Sequence, residues 1–441
     1  MPLDKSGDFA LRQSSTTPTA PVGPRQLGGK YGSLIENKPF VSLWISQLIS
    51  QSGDYILNIA LLWFVLSSTK SVFLVGITQA AAWTPIVVAG PLAGVYVDKL
   101  NRKKLILFAN IFQGIIVGAM SLIFLEGFLS FTAIIPFLLV LFSVAQFLNA
   151  SVNAMIPNIV KAEQLSSANG LFSFSSSINQ LGSSALGGII VVIAGVSAPL
   201  LYDSITFFIA ASIVSLFVGN AYGDIHHQSE LLGSGQPVTQ GFFYRLREGF
   251  DYVRKSRLLV EIIVVGGILN FFVGAAKTLL SPYSEFWLGG SAATFGLISG
   301  LLGLGAIGGS LLFGKMNARR QLGRLFFCSV VIVGGSIIFL GISRNVIEAL
   351  FFSLILGSGT ITAELSIQVL VQAKVDSNLL GRVYTMFASA LNVTAPFSAI
   401  VGGTIGGAFP VGWAFVAFGA VIACVGVITF AAFSELRGAN Y

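Results

Sequence analysis

Asp54 stands near the middle of residues 39–67, a run that carries no other charge and is long enough to cross a bilayer. A carboxylate at the centre of the hydrocarbon costs about 2.5–3.5 kcal/mol on insertion scales, because desolvation acts against its charged form. An acid held at that cost can take up a proton in one conformation and release it in another, which is the chemistry that proton coupling needs. Glu364, inside the apolar run 346–371, is the second such acid. Gln146, Asn149 and Asn153 share one face of a helix by their spacing, as do Thr360, Glu364 and Gln368. A shift of 215 positions superposes Asn149 on Glu364 and Asn153 on Gln368, and a shift of 216 sets Asp54 over Asn270. Such matched stripes suit two arrangements: helices lining a water-filled cavity, or a packed bundle whose amides bond from helix to helix.

Other polar groups lie nearer the ends of their runs, where side chains reach the interface. Lys277 snorkels from the end of its run, or favours anionic substrates if it faces the cavity. Glu261 can pair with Arg257 at i, i+4. Asp203 is expected to act in helix initiation or packing. Ser173, Ser176, Gln180 and Ser184 form one further hydroxyl and amide stripe, and Thr385, Ser389 and Asn392 form another. Trp63 and Trp83, in the first two apolar runs, are candidates for a hydrophobic substrate surface.

The elements that position these groups follow from composition. Of 441 residues, 54% are hydrophobic and 10% charged, with a mean hydropathy of +0.84, which is far from a soluble domain. Twelve helical spans are predicted, at about 39–67, 74–97, 103–125, 131–155, 169–193, 198–219, 258–280, 293–314, 322–342, 346–371, 381–408 and 411–433. A β-barrel would instead show short alternating segments. Residues 1–38 contain "SSTTPTAPVGPRQ" and are read as a disordered cytoplasmic tail.

With the tail inside and sides alternating, only Lys70 and Arg344 of the 25 Lys and Arg fall outside and Lys277 lies within a span, leaving 22 inside. The positive-inside rule therefore places both termini in the cytoplasm. The net charge of +7 reflects this topology and calls for no nucleic-acid partner. The longest polar interruption, 220–257, divides the spans into halves of six, at 39–219 and 258–434, with a short C-terminal segment at 435–441. Within the interruption, "GFFYRLREGFDYVRKSR" puts Phe243, Leu246, Phe250 and Val253 on one face, as an interfacial helix would. The 215 shift also lays "SALGGII" (184–190) over "AIVGGTI" (399–405), and Arg102-Lys103 matches Arg319-Arg320 at nearly the same offset. Two parallel repeats of six helices follow.

The loop "GPLAGVYVDKLNRKKLIL" resembles the major facilitator superfamily signature G-x-x-x-D-[RK]-x-G-R-[RK], through Gly94, Asp98, Lys99, Arg102 and Lys103, with Asn101 in place of the usual glycine. "IPNIVKAEQLSSANGLFS", "LLYDSITFFIAA" and "LLGRVYTMFAS" resemble the branch that contains macrolide efflux pumps and the enterobactin exporter. The resemblance covers roughly residues 38–433 and implies an all-α membrane fold of twelve helices in two pseudo-symmetric halves, with spans 1, 4, 7 and 10 lining the path. It further implies that Asp98 meets the start of span 11 at Gly381 and Arg382 as a conformational latch, where an acid can face the positive end of a helix. The antiporter signature G-P-x-x-G-G is degraded to Ser183-Ser184-Ala185-Leu186-Gly187-Gly188, which weakens the case for antiport while leaving Gly187 and Gly188 for close helix packing.

Four other patterns are excluded as chemistry. "GLGAIG" (303–308) and "GSLLFGKM" (309–316) fall in or at the end of a span and follow no strand, and in the second Met316 takes the place of the magnesium-binding hydroxyl, so helix packing replaces nucleotide binding. His226-His227 have no companion ligands, and they are the only histidines. Cys328 and Cys424 lie inside apolar spans as small hydrophobes. The expectation is a plasma-membrane secondary transporter of the bacterial inner-membrane type, monomeric, without cofactor or metal, and not an enzyme. It would export a small amphipathic molecule, drug-like or siderophore, in exchange for protons. Transport of a lipid-like molecule or uptake by symport are the alternatives within that class. A membrane-embedded transferase would need surface clusters of acids or histidines, which the sequence lacks.

Overall fold

The computed structural model describes residues 32, 34–97, 99–219, 242–315, 322–375, 379–433 and 436. Among them, twelve helices are long and apolar enough to cross a membrane, and there is no strand. Spans 1 to 6 are Lys38–Thr69, Val72–Val97, Arg102–Leu125, Phe131–Ile159, Leu165–Ala194 and Ser197–Phe217. Spans 7 to 12 are Arg257–Thr278, Ala292–Lys315, Leu322–Ile342, Val346–Lys374, Leu380–Ala408 and Val411–Ala432. Several starts are set by short polar side chains that satisfy a free backbone N–H. Asn37 Oδ1 accepts from Phe40 N–H, Asn101 from Lys104, Ser130 Oγ from Ala133, and Asn345 Oδ1 from Ile347. Spans 4 and 5 run past their apolar stretches, to Ile159 and from Leu165, since helices project beyond the hydrocarbon. After span 7 the chain makes a π-helical turn, Tyr283–Trp287, before span 8.

The helix pairings repeat between the halves. Span 1 packs on spans 5 and 6, span 3 on 4 and 6, and span 2 on 4; likewise span 7 packs on 11 and 12, span 9 on 10 and 12, and span 8 on 10. The halves meet where span 5 crosses span 8 and span 2 crosses span 11. Both crossings bring backbones together: a Cβ on Gly188 would overlap Ala292, and one on Gly76 would lie 2.8 Å from Gly403 Cα. The two contacts are equivalent, since Gly403 follows Gly188 by 215 residues and Ala292 follows Gly76 by 216. Small residues allow this approach, and dispersion between the backbones replaces the hydrophobic drive that lipid removes. Large apolar side chains such as Ile193, Leu216 and Ile347 are exposed on the outside, where hydrocarbon would meet them.

The linker helix Phe242–Lys255 packs on span 11, with Val253 buried and Phe250 exposed; the side chains of Phe243 and Leu246 lie outside the described residues. The tail 1–31, the stretch 220–241 and Asp98 also lie outside them. Glu261 is buried, accepting from Arg257 Nε at 3.1 Å and from Leu436 N–H at 3.2 Å.

Candidate translocation pathway

A cavity of ≈ 360 Å³ lies against the N-terminal half, lined by Gln47, Gln51, Asn149, Asn153, Ser173 and Ser176, with Val152 and Phe172. Its walls come from the first part of span 1, the last part of span 4 and the first part of span 5, so it opens at the end of the bundle where span 1 begins. Amides and hydroxyls dominate, interrupted by one aliphatic and one aromatic side chain, a surface that hydrogen-bonds without net charge. Span 1 is fixed to span 5 beside it: Trp44 Nε1–H donates to Ser175 Oγ at 2.9 Å, and Asn179 Nδ2–H donates to the Leu48 carbonyl at 2.7 Å. The hydroxyls of Tyr55 and Ser176 are 3.4 Å apart.

Asp54 continues the face of span 1 that carries Gln47 and Gln51, at i, i+4 and i+7, and is half-buried one turn deeper than Gln51. Beyond it, toward the opposite end of the bundle, Asn58, Thr78 and Gln79 line a second cavity of ≈ 10 Å³, about the size of one water. Asp203 sits in the second turn of span 6, which begins at Ser197, so helix initiation is not its role. It is wholly buried against Gly53 and interacts electrostatically with Asp54.

In the C-terminal half, Glu364, Gln368, Asn392, Asn270 and Lys277 are all exposed. Lys277 and Glu364 attract each other at a range longer than a direct ion pair. Asn270 Nδ2–H donates to the Leu391 carbonyl at 2.9 Å and to Thr394 Oγ1 at 3.3 Å, tying span 7 to span 11. Tyr384 O–H donates to the Gln368 carbonyl at 3.0 Å. Gln146 is half-buried and donates to the Phe142 carbonyl of its own helix, while Gln180 is half-buried on span 5.

At the end opposite the cavity mouth the halves are joined. Lys70 Nζ contacts Glu285 Oε1 at 2.6 Å, between the turn after span 1 and the π-helical turn after span 7. These residues are 215 positions apart, so equivalent points of the two repeats meet with opposite charges. Beside them the Arg344 guanidinium lies 3.5 Å from the centroid of Trp287, whose Nε1–H donates to the Ser343 carbonyl.

A twelve-helix bundle in two equivalent halves, bridged at one end and hollow at the other, is the architecture of a transporter. Residues 32–438 match the family described as transmembrane secretion effectors, of the major facilitator type. The chain belongs to that family. Relatives include the MFS-type transporter YvqJ of Bacillus subtilis (strain 168), 24% identical over 90% of this chain and 93% of that one. Macrolide efflux protein A of Streptococcus pyogenes is also 24% identical, over 88% and 94%. A D-xylose-proton symporter structure superposes with a TM-score of 0.68 over 92% of this chain and all of the other, at 14% identity, and so shares its fold. The chain is therefore a multi-pass membrane transporter, from a family of carriers rather than enzymes.

The major facilitator loop between spans 2 and 3 is described in part. Arg102 is buried and its Nη1–H donates to the Ala154 carbonyl at 2.8 Å; Lys103, also buried, donates to the Ser215 carbonyl at 3.2 Å. These cations hold span 3 to the C-terminal parts of spans 4 and 6, where the helix dipole favours positive charge. Gly94 has open space around it and Lys99 is exposed. Asp98 and the side chains of Gly381 and Arg382 lie outside the described residues, so the expected latch contact does too.

Gln47, Gln51 and Asn179 join the pathway beyond the candidates drawn from sequence. The first two were readable, as a polar stripe ending at Asp54.

Proposed function

We propose that this protein exports a small amphipathic molecule across the plasma membrane by alternating access, in exchange for protons, with both termini in the cytoplasm. The observation that carries the reading is the asymmetry of the bundle: the cavity opens at the end that holds most of the cations, while glycine crossings and the Lys70–Glu285 bridge join the halves toward the other. By the positive-inside rule the cation-rich end is cytoplasmic, so this is an inward-open state ready to load cargo. The mixed lining of amides, hydroxyls, Val152 and Phe172 suits a molecule with both polar and apolar faces. The likeness to macrolide efflux protein A favours outward movement of a drug-like compound, and siderophores offer the same mixture of faces. Asp54, at the inner end of the cavity's polar face, is the coupling acid. Asn149, Asn153, Gln146 and Gln180 on one side, and Glu364, Gln368, Asn270, Asn392 and Lys277 on the other, form the cargo path. Asp98 and the start of span 11 act as the latch.

Proteoliposomes test this directly. With an imposed proton gradient, a macrolide or a siderophore should accumulate against its own gradient while protons move the other way. Transport that ignores the proton gradient would remove antiport, and inward accumulation along with protons would make the protein a symporter.

A further inference from the structure

Among the described residues, the N-terminal half holds Asp54 and Asp203 within the bundle, while its buried cations, Arg102 and Lys103, are bound to the Ala154 and Ser215 carbonyls at one end. Asp54 on span 1 and Asp203 on span 6 interact electrostatically, and the two helices pack along each other. Their approach is set by Gly53: a Cβ there would overlap Asp203 Oδ1 and lie 3.0 Å from Asp203 Cα. Asp203 is 0% exposed; its Oδ1 accepts a long bond, 3.4 Å, from Thr206 Oγ1–H, and its Oδ2 has no partner. Asp54 has no ion pair among the described residues.

Every other group packed around this pair is neutral. Tyr55, beside Asp54, is 3.4 Å from Ser176, and Tyr202 is 3.0 Å from Ser52. Ser204 Oγ–H donates to the Gly114 carbonyl. Span 3 from Leu105 to Leu125, span 5 from Leu165 to Ala194 and span 4 from Phe131 to Ile159 contain no titratable side chain, and span 2 has only Tyr96 near its end. The nearest basic group on the faces packed against span 6 is Lys103, bound at Ser215, twelve residues and about 18 Å along the helix from Asp203.

With one acid wholly buried and no counter-ion beside them, two like charges disfavour a second ionisation, and their protons belong to the pair rather than to either acid. We propose that Asp54 and Asp203 form one two-carboxyl site that holds a single proton in the inward-open state. Asp203 is then a positioning residue that governs the protonation of Asp54, which alone of the two continues the cavity face. Loss of the proton through Asp54 to cavity water leaves both acids ionised; gain of a second makes the pair neutral. The inference rests on proton-coupled transport for its purpose, while the pair itself exists or not regardless of cargo.

Infrared titration of the reconstituted full chain, following the carboxylic-acid C=O stretch across neutral pH without substrate, tests it. Asp203→Asn should move the midpoint assigned to Asp54 to lower pH by about one unit or more, a tenfold weaker hold on the proton. Asp54→Asn should move the midpoint of Asp203 by the same amount, because the interaction is reciprocal. The second variant carries the test alone if the first does not fold, since Asp54 is only half-buried. Unmoved midpoints overturn the proposal, as does a midpoint that follows sodium concentration and ignores both variants. A shifted pair in a protein that moves no protons with cargo would keep the two-carboxyl site and end the antiport reading; unshifted midpoints with intact antiport would do the reverse.

Discussion

The two halves share their helix pairings and differ in how they hold charge. In the N-terminal half an acid on span 1 interacts with another acid on span 6, and the buried cations Arg102 and Lys103 are held at the end of the bundle on helix carbonyls. In the C-terminal half the acid on span 10, Glu364, attracts an ammonium on span 7, Lys277, from beyond ion-pair distance. The proposed acid pair can change its charge only by gaining or losing a proton or a cation, whereas Glu364 already has a cation, Lys277, within electrostatic reach. On the proposed function the repeat divides the work: the first half carries the proton, and both halves line the cargo path. The inter-half crossings, by contrast, are equivalent on both sides.

The largest effects are expected at those crossings. Gly188→Leu and Gly403→Leu each force a side chain into backbone contact, at a cost of about 1–3 kcal/mol or more, and should depress thermal stability and folded yield to a similar degree. Clearly unequal losses in a thermal-shift assay would show that the halves are not packed alike. Next comes Asp54→Asn, which should abolish accumulation driven by a proton gradient, a loss of at least about tenfold, while leaving exchange of cargo without a gradient in place. Cargo accumulation at wild-type level would take the proton away from span 1.

Glu364→Gln should cost less, a several-fold loss of transport with an unaltered pH profile, because it leaves Lys277 without its balancing charge. Adding Lys277→Gln should recover part of that loss, and a double variant no better than the single would dissolve the pair. The smallest effect belongs to Lys70→Gln. The lysine is 62% exposed, so the bridge is worth about 0.2–1 kcal/mol, and its removal should favour the outward-open state by no more than about fivefold. Spin-label distances between the turns after spans 1 and 7 would report that shift.

Much of this was readable from one chain. Apolar runs of some twenty residues announce the spans because nothing else tolerates them, and the offset of 215 announces the repeat. That offset, applied to Lys70, lands on Glu285. The bridge is legible only once loops are included with the helices, and only if pseudo-equivalent turns meet at the axis. Asp203 is harder. Its setting near one end of an apolar run suggests a helix start, and no spacing along the chain joins it to Gly53, 150 residues earlier. Likewise Asn270 matches Asp54 by offset, yet its amide is spent on Leu391 and Thr394, a partner choice set by tertiary packing.

The division of labour between the halves is tested most directly by counting protons released when purified protein in weakly buffered detergent solution binds cargo. The Glu364→Gln variant should release protons as the intact protein does, and Asp54→Asn should release none. Proton release that survives in Asp54→Asn and disappears in Glu364→Gln would place the coupling site in the C-terminal half and contradict the account.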